Sequence, residues 1–306
     1  MKKLIEMQRQ YNNKVYGEKR KTHDELERHT QELALCAHAE LSSLVAATSY
    51  RKHHKADSRN EIDKTTLLYE SVDVIRYVMA IMNLWNIKAD DFETAFHEKD
   101  IYLNTRRRID KHGWQGQPVA IVDMDDVITD FRCGFAEWLS ENHGIEADVE
   151  SPEYYFIDAL KNSGYNPEKI FEEFVAKRGF RHLKPVERAR DFLNKLHEYG
   201  YWVHILTARP DDNLACLYDT YAWLDENDIR FDDISFATEK FRWCAQSKYY
   251  DSGAIRFAID DSPKHATEYA THGIKCWVPS KSYNNNLHHE DVEFYDSFKD
   301  FLSSLE

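Results

Sequence analysis

Val119-Ala-Ile-Val-Asp123-Met-Asp125-Asp126-Val-Ile-Thr-Asp130, directly after Pro118, decides the reading of this chain. Four apolar residues suit a short buried strand, and the run stops on two acids spaced by two. Three later runs behave alike: Tyr201 to Leu206 ends in Thr207-Ala-Arg209-Pro210, Ile234 to Ala237 in Thr238-Glu239-Lys240, and Ile255 to Ile259 in Asp260-Asp261-Ser262-Pro263. Amphipathic helical stretches separate them, which is how a parallel sheet with helical crossovers looks in sequence. In such sheets the ligand crevice lies outside the carboxyl ends of the strands. Those ends carry Asp123, Asp125, Asp260 and Asp261 with one hydroxyl, Thr207, and one ammonium, Lys240. Like charges that close repel unless a divalent cation sits among them, and hard carboxylate oxygens suit Mg²⁺. Asp123 and Asp125 can divide the work of covalent phosphoryl transfer, one as nucleophile and one as proton donor. A single such aspartate is more often a helix cap or loop carboxylate; four coincidences at strand ends argue for chemistry. Arg209, Glu239 and Ser262 beside the motifs fit turn or surface roles equally well. Tyr283 to His289 reads as a polar surface loop.

These motifs resemble the haloacid dehalogenase (HAD) superfamily of phosphohydrolases over residues 118 to about 280, and Asp123 to Asp130 is most similar to its deoxyribonucleotide 5′-nucleotidases. The resemblance implies that Asp123 forms an aspartyl-phosphate. Asp125 would protonate the leaving alkoxide and later activate water, and Thr207 and Lys240 would hold the phosphoryl oxygens. Mg²⁺ would be bound by Asp123, the backbone carbonyl of Asp125, and Asp260 or Asp261. The Phe- and Tyr-rich stretch 132–185 would be a helical cap closing over the nucleoside.

Upstream the period changes. From Lys2 to Asp110 the chain has no proline and one glycine, Gly17, while all seven prolines fall from Pro118 onward. The first third therefore reads as helices, near 2–17, 24–50, 61–86 and 90–110. Leu68, Val72, Ile75, Met79 and Met82 recur at spacings of 4, 3, 4 and 3, an apolar stripe of bundle type. Gly113, Gly116 and Pro118 break the pattern, which predicts a helical domain over 1–112 and an α/β domain over 118–306. Glu40 is the sole charge in an eighteen-residue stretch between Glu32 and Arg51, and Glu70 and Asp73 share a face of the third helix. A lone carboxylate in an apolar helix is expensive unless something pairs it, and a carboxylate cluster across a bundle holds a divalent metal. An interhelical salt bridge of Glu70 and Asp73 with Arg76 is the blander alternative, and it leaves Glu40 unexplained. The basic run Arg51 to Lys55 could lie over a triphosphate, but a charged inter-helix run is more often solvated.

Glu40 followed by Glu70-Ser-Val-Asp73 resembles the all-α NTP pyrophosphohydrolases, the MazG and dimeric dUTPase/dCTPase group, over residues 4 to about 110. Ser43 stands where that pattern has a second glutamate. The resemblance implies Mg²⁺ on Glu40, Glu70 and Asp73 engaging a triphosphate, a metal-activated water that releases pyrophosphate, and Lys99 and Asn104 as holders of phosphate or base. It also implies a homo-oligomer formed through the helical domain.

The chain has 306 residues, and 40 Lys and Arg against 54 Asp and Glu give a formal charge of −14, which disfavours stable binding to nucleic-acid phosphates. The five cysteines are scattered without a CxxC pair, so neither a structural zinc nor a disulfide framework is expected. No apolar segment follows the N-terminus, and the longest nearly uncharged apolar run, Val78 to Trp85, is far short of the ~20 residues of a membrane helix. The expectation is a cytoplasmic enzyme without membrane partners. Three functions compete: a two-step hydrolase taking a (d)NTP to (d)NMP plus pyrophosphate and then to nucleoside plus phosphate; a phosphatase beside an inactive oligomerisation or nucleotide-sensing bundle; and a phosphatase for polynucleotide ends, which the charge opposes.

Overall fold

The computed structural model describes residues 1–17, 22–48, 63–153 and 156–305. The basic run 51–55 lies outside them. The chain opens with four helices: α1 (Lys2–Tyr16), α2 (His23–Ala46), α3 (Lys64–Leu84) and α4 (Ala89–Lys111). Local chemistry sets their starts. Thr22 and Glu25 form a reciprocal capping box at α2, and the Asp63 carboxylate accepts from Thr65 N at α3. The compact units of the chain are Met1–His97 and Glu98–Glu306, so they divide inside α4, and the Gly/Pro break at 111–118 is the connection from α4 into the first strand.

Within Met1–His97 the buried apolar core is Ile5, Met79, Met82 and Ala89, with Phe92 packed against it. The predicted α3 stripe is therefore buried only at its C-terminal end, and Leu68, Val72 and Ile75 stay exposed, as do Leu4, Met7, Tyr11 and Val15 of α1.

The second unit continues through β1 (Val119–Val122), α5 (Phe131–His143), α6 (Ile157–Asn162), α7 (Pro167–Ala176), a 3₁₀ turn Gly179–His182, α8 (Ala189–Glu198), β2 (Trp202–Thr207), α9 (Leu214–Glu226), β3 (Asp233–Phe236), α10 (Lys240–Gln246), α11 (Lys248–Asp251), β4 (Ile255–Ile259), α12 (Pro263–Thr271), β5 (Cys276–Pro279), β6 (Val292–Tyr295) and α13 (Phe298–Leu305). The four strands read from the sequence are present within one residue, and β5 and β6 extend the sheet beyond them. All neighbouring strands pair in parallel, in the order β3-β2-β1-β4-β5-β6. β1 is buried throughout, as expected of a central parallel strand that has both faces covered.

The chain leaves β1 towards β2 on one side and returns to β4 on the other, so the topological switch point lies at the carboxyl ends of β1 and β4, where Asp123 and Asp260 stand. The insertion between β1 and α8 has its own aromatic core, in which Phe131, Phe135, Phe156, Phe174 and Phe180 are buried. These rings pack edge-to-face and stacked, for example Phe135 on Phe174 at 5.1 Å and Phe131 on Phe180 at 5.9 Å.

Candidate active site

One turn after β1 sets the first carboxylates. Ile128 N and Thr129 N both donate to Met124 O at 2.8 Å, and Asp126 N donates to Thr129 O at 2.8 Å, which winds the chain back over the strand end. Asp126 sits in left-handed backbone at φ 56°, a conformation that Asp tolerates better than most residues, and its Oδ1 accepts from Arg132 N at 2.9 Å. Asp123 remains at the sheet edge, buried, and Asp125 projects from the turn.

Lys240, the first residue of α10, is buried and places Nζ 2.7 Å from Asp123 Oδ1 and 2.7 Å from Asp260 Oδ2. Asp260 uses its other oxygen to accept from Ser262 N at 3.0 Å. Asp261 accepts at Oδ2 from Tyr283 OH at 2.7 Å, and its Oδ1 has no hydrogen-bond partner among the described residues. Asp123, Asp260 and Asp261 each offer an oxygen within 4.8 Å of the others. Thr207 closes β2, fully buried, its hydroxyl accepting from Arg209 N at 3.3 Å. Of the six residues read from the strand ends, Asp123, Asp260, Asp261 and Lys240 are thus brought to one point, Asp125 lines the cavity above them, and Thr207 ends the neighbouring strand β2.

Electrostatics mark that point as short of positive charge. Burial raises Asp123 to about 6 against the pull of Lys240, with Asp260 and Asp125 adding repulsion. Burial likewise raises Asp126 to about 6, and it lifts Asp261 well above the usual carboxylate range, helped by Asp126, Asp123 and Asp260. Burial also works against the Lys240 ammonium, but Asp123 and Asp260 outweigh it and hold its pKa above the ordinary value. One lysine does not neutralise this set. A hard divalent cation would fit it: the donors are all oxygen, one is unpaired among the described residues, and the three carboxylates each offer an oxygen within 4.8 Å of the others.

A cavity of about 60 Å³ lies over these groups, walled by Asp123, Asp125, Lys240 and Asp261 below and by Phe131, Phe156, Phe171 and Phe180 above. Arg209, left open in the sequence reading, belongs to this site: its Nε and NH2 hold Asp125 at 2.9 and 2.6 Å, and its guanidinium lies 4.3 Å from the Phe180 ring centre. Arg132, Tyr283 and His265 were not singled out from the sequence. Arg132 and His265 line the cavity, and Tyr283 reaches Asp261. The segment read as a surface loop is instead anchored inward, with Asn284 buried and donating to Asp261 O at 3.1 Å.

In the helical unit, Glu40 on α2 and Glu70 and Asp73 on α3 come together, each offering an oxygen within 4.8 Å of the others. Among the described residues no ion pair joins Arg76 to Glu70 or Asp73. Its Nε donates to Gln8 Oε1 at 3.0 Å, and it lies 4.6 Å from the Tyr11 ring centre. Ser43, one turn on from Glu40, is exposed and adds no carboxylate. Lys99 and Asn104 belong to the other unit, where Lys99 Nζ donates to Tyr218 OH at 2.5 Å and Asn104 donates to Asp100 Oδ2 at 3.0 Å.

A parallel sheet with carboxylates, a threonine and a lysine at its switch point beneath a helical insertion defines a HAD-like hydrolase of the phosphatase class. Comparison with known families is more particular. The chain belongs to the family described as 5′ nucleotidase, deoxy (Pyrimidine), cytosolic type C protein, whose model matches residues 117–304, and also to the dUTPase family, matched over residues 1–184. Among solved structures, a HAD family hydrolase from Deinococcus radiodurans R1 is 14% identical, covering 61% of this chain and 94% of its own at a TM-score of 0.44. A predicted phosphatase from Clostridium acetobutylicum is also 14% identical, covering 62% of this chain and 98% of its own at a TM-score of 0.44. No curated protein matches the chain. Among the described residues, no helix is long and apolar enough to cross a membrane.

Proposed function

We propose that this chain is a cytoplasmic, Mg²⁺-dependent, bifunctional nucleotide hydrolase, in which the helical unit takes a (d)NTP to (d)NMP and pyrophosphate and the HAD domain takes a (d)NMP to nucleoside and phosphate. The observation that carries it is that one chain holds two separate triads of carboxylates, Glu40/Glu70/Asp73 and Asp123/Asp260/Asp261, each close enough to share a cation. Membership of nucleotidase and dUTPase families supports nucleotides as substrates of both.

At the HAD site Asp123 is the nucleophile: its carboxylate attacks phosphorus, the ester P–O bond breaks, and an acyl phosphate forms on Asp123. Asp125 gives a proton to the departing alkoxide and afterwards takes one from the water that hydrolyses the acyl phosphate. Lys240 and Thr207 hold the phosphoryl oxygens. Asp261, whose Oδ1 is unpaired, is the direct metal ligand beside Asp123 and the Asp125 carbonyl, whereas Asp260 is occupied with Lys240 and Ser262 N. Bound Mg²⁺ offsets phosphoryl charge and screens the carboxylates from one another. The phenylalanine walls suit a base or sugar face.

At the helical site Glu40, Glu70 and Asp73 would hold Mg²⁺, which would supply the charge that engages the triphosphate. The exposed apolar stripes of α1 and α3 support self-association through the helical unit, since faces of this kind are normally covered. A second reading, with the bundle an inactive oligomerisation or nucleotide-sensing module, is favoured by Ser43. Assay of the purified chain against a panel of nucleoside mono- and triphosphates, resolving pyrophosphate from phosphate, separates the two. Pyrophosphate release from at least one triphosphate is expected, and its absence from all of them selects the second reading.

A further inference from the structure

Tyr283 stands between the sheet edge and the cap. Its hydroxyl donates to Asp261 Oδ2 at 2.7 Å and lies 3.5 Å from Asp126 Oδ2, and its ring lies 4.9 Å from the guanidinium carbon of Arg132. Arg132 spends every arm of its fork on the cap. Nε donates to Val149 O at 2.6 Å, NH2 to Ser151 O at 2.6 Å and NH1 to Glu153 O at 2.9 Å, while its guanidinium carbon also lies 4.3 Å from the Phe156 ring centre. Ser282 Oγ adds a bond to Ser151 O at 2.9 Å, so the loop that carries Tyr283 touches the cap directly. A guanidinium held by three carbonyls and packed on two rings is a fixed object, not a solvated surface charge.

We infer that Tyr283 and Arg132 are positioning residues that tie the Asp261 carboxylate to the cap segment 149–153, so that cation binding at Asp261 and ordering of the cap favour one another. The inference rests on the reading of Asp261 as a direct Mg²⁺ ligand. Tyr283 fixes the orientation of the carboxylate by occupying Oδ2, which leaves Oδ1 to face the cation, and a ligand pre-oriented by an outer hydrogen bond binds metal more tightly. The same residue packs against Arg132. Any shift of Asp261 that breaks the Tyr283 bond loosens the ring under the guanidinium, and with it the three carbonyls of the cap. Such linkage is reciprocal: what orders the cap must strengthen cation binding by the same factor.

The test uses the whole chain, freed of metal, titrated calorimetrically with Mg²⁺ alone, with amide hydrogen exchange of segment 145–153 followed with and without Mg²⁺. Tyr283→Phe keeps the ring and removes the hydroxyl. It should raise the Kd for Mg²⁺ at this site about tenfold or more, and the Mg²⁺-dependent protection of 145–153 seen in the unmodified chain should disappear. Arg132→Met, which leaves the Asp261–Tyr283 bond in place, should lose the protection and keep more of the affinity. Unchanged affinity or undiminished protection in Tyr283→Phe overturns the inference while Asp261 remains a ligand. Loss of this Mg²⁺ site in Asp123→Asn but not in Asp261→Asn overturns the ligand reading itself, and the inference with it.

Discussion

Arg209 grips Asp125 through both carboxylate oxygens, Nε to Oδ2 at 2.9 Å and NH2 to Oδ1 at 2.6 Å, while Thr129 Oγ1 donates to Oδ1 at 2.7 Å. The residue proposed as acid and base is therefore aimed by a buried fork, two positions beyond Thr207, the threonine proposed to hold phosphate. Arg209→Met should lower kcat for monophosphate hydrolysis by about 10²-fold, the order of loss that misplacing a reacting group causes. Arg209→Lys should not restore it, because an ammonium cannot reproduce the two-point grip. Steady-state kinetics of both variants decide, and wild-type kcat in Arg209→Met would remove Arg209 from the mechanism.

Asp123→Asn leaves Lys240 and Asp260 paired but provides no carboxylate nucleophile. Phosphate release from a monophosphate should fall by about 10⁴ or more, with any release of pyrophosphate from a triphosphate intact. Asp125→Asn should cost about 10² to 10⁴, the usual range for acid–base catalysis. Retained phosphate release in Asp123→Asn would sink the nucleophile assignment.

Glu70→Gln separates chemistry from stability in the helical unit. With Glu40, Glu70 and Asp73 sharing Mg²⁺, the variant should lose pyrophosphate release and keep its phosphatase, and its metal-free melting temperature should not fall, because a member of a repulsive cluster is neutralised. A less stable variant with an unchanged activity profile would make Glu70 structural.

His204, on β2, is buried, and among the described residues neither ring nitrogen has a hydrogen-bond partner; burial lowers its pKa to about 3. In the unfolded chain it returns to ~6.5, so below that pH the unfolded state takes up a proton that the folded state refuses. Its contribution is complete above pH 6.5 and is lost as pH falls towards about 3. Between pH 7.5 and 5.5 the unmodified chain should lose roughly 1 kcal/mol more stability than His204→Phe. Urea unfolding of both proteins at the two pH values measures this, and an equal loss in both would show that His204 is not the titrating group.

The strand ends were legible because the signal is local: an apolar run with its acid, threonine or lysine directly behind it places a group on the sheet edge whatever the rest of the chain does. Glu40, Glu70 and Asp73 were legible for a related reason, Glu40 as a lone charge in an apolar helix and Glu70 and Asp73 as two carboxylates on one face of the next. Arg132 and Tyr283 were not, since what they do depends on where distant chain arrives. Tyr283 lies 22 positions from the carboxylate it holds, in an Asn-rich stretch that reads as solvated loop. β5 and β6 escaped because each is four residues long and β6 is largely unburied. The α3 stripe was correctly apolar, yet periodicity cannot tell a face buried within the chain from the exposed one that Leu68, Val72 and Ile75 present.

The central claim is that two sites act in sequence, and it is tested most directly by giving one triphosphate to the unmodified chain and to Glu70→Gln and following every phosphorus product. The cavity over Asp123 is lined by Lys240 and Arg209, both already engaged by carboxylates, and by Arg132, whose guanidinium is spent on three cap carbonyls, so none of these cations is free to offset the extra charge of a triphosphate. The unmodified chain should therefore give nucleoside, pyrophosphate and phosphate in equal final amounts with the monophosphate as a transient, and Glu70→Gln should leave the triphosphate largely intact. Appreciable diphosphate and phosphate from Glu70→Gln would mean stepwise hydrolysis at the HAD site alone and would contradict the two-site account.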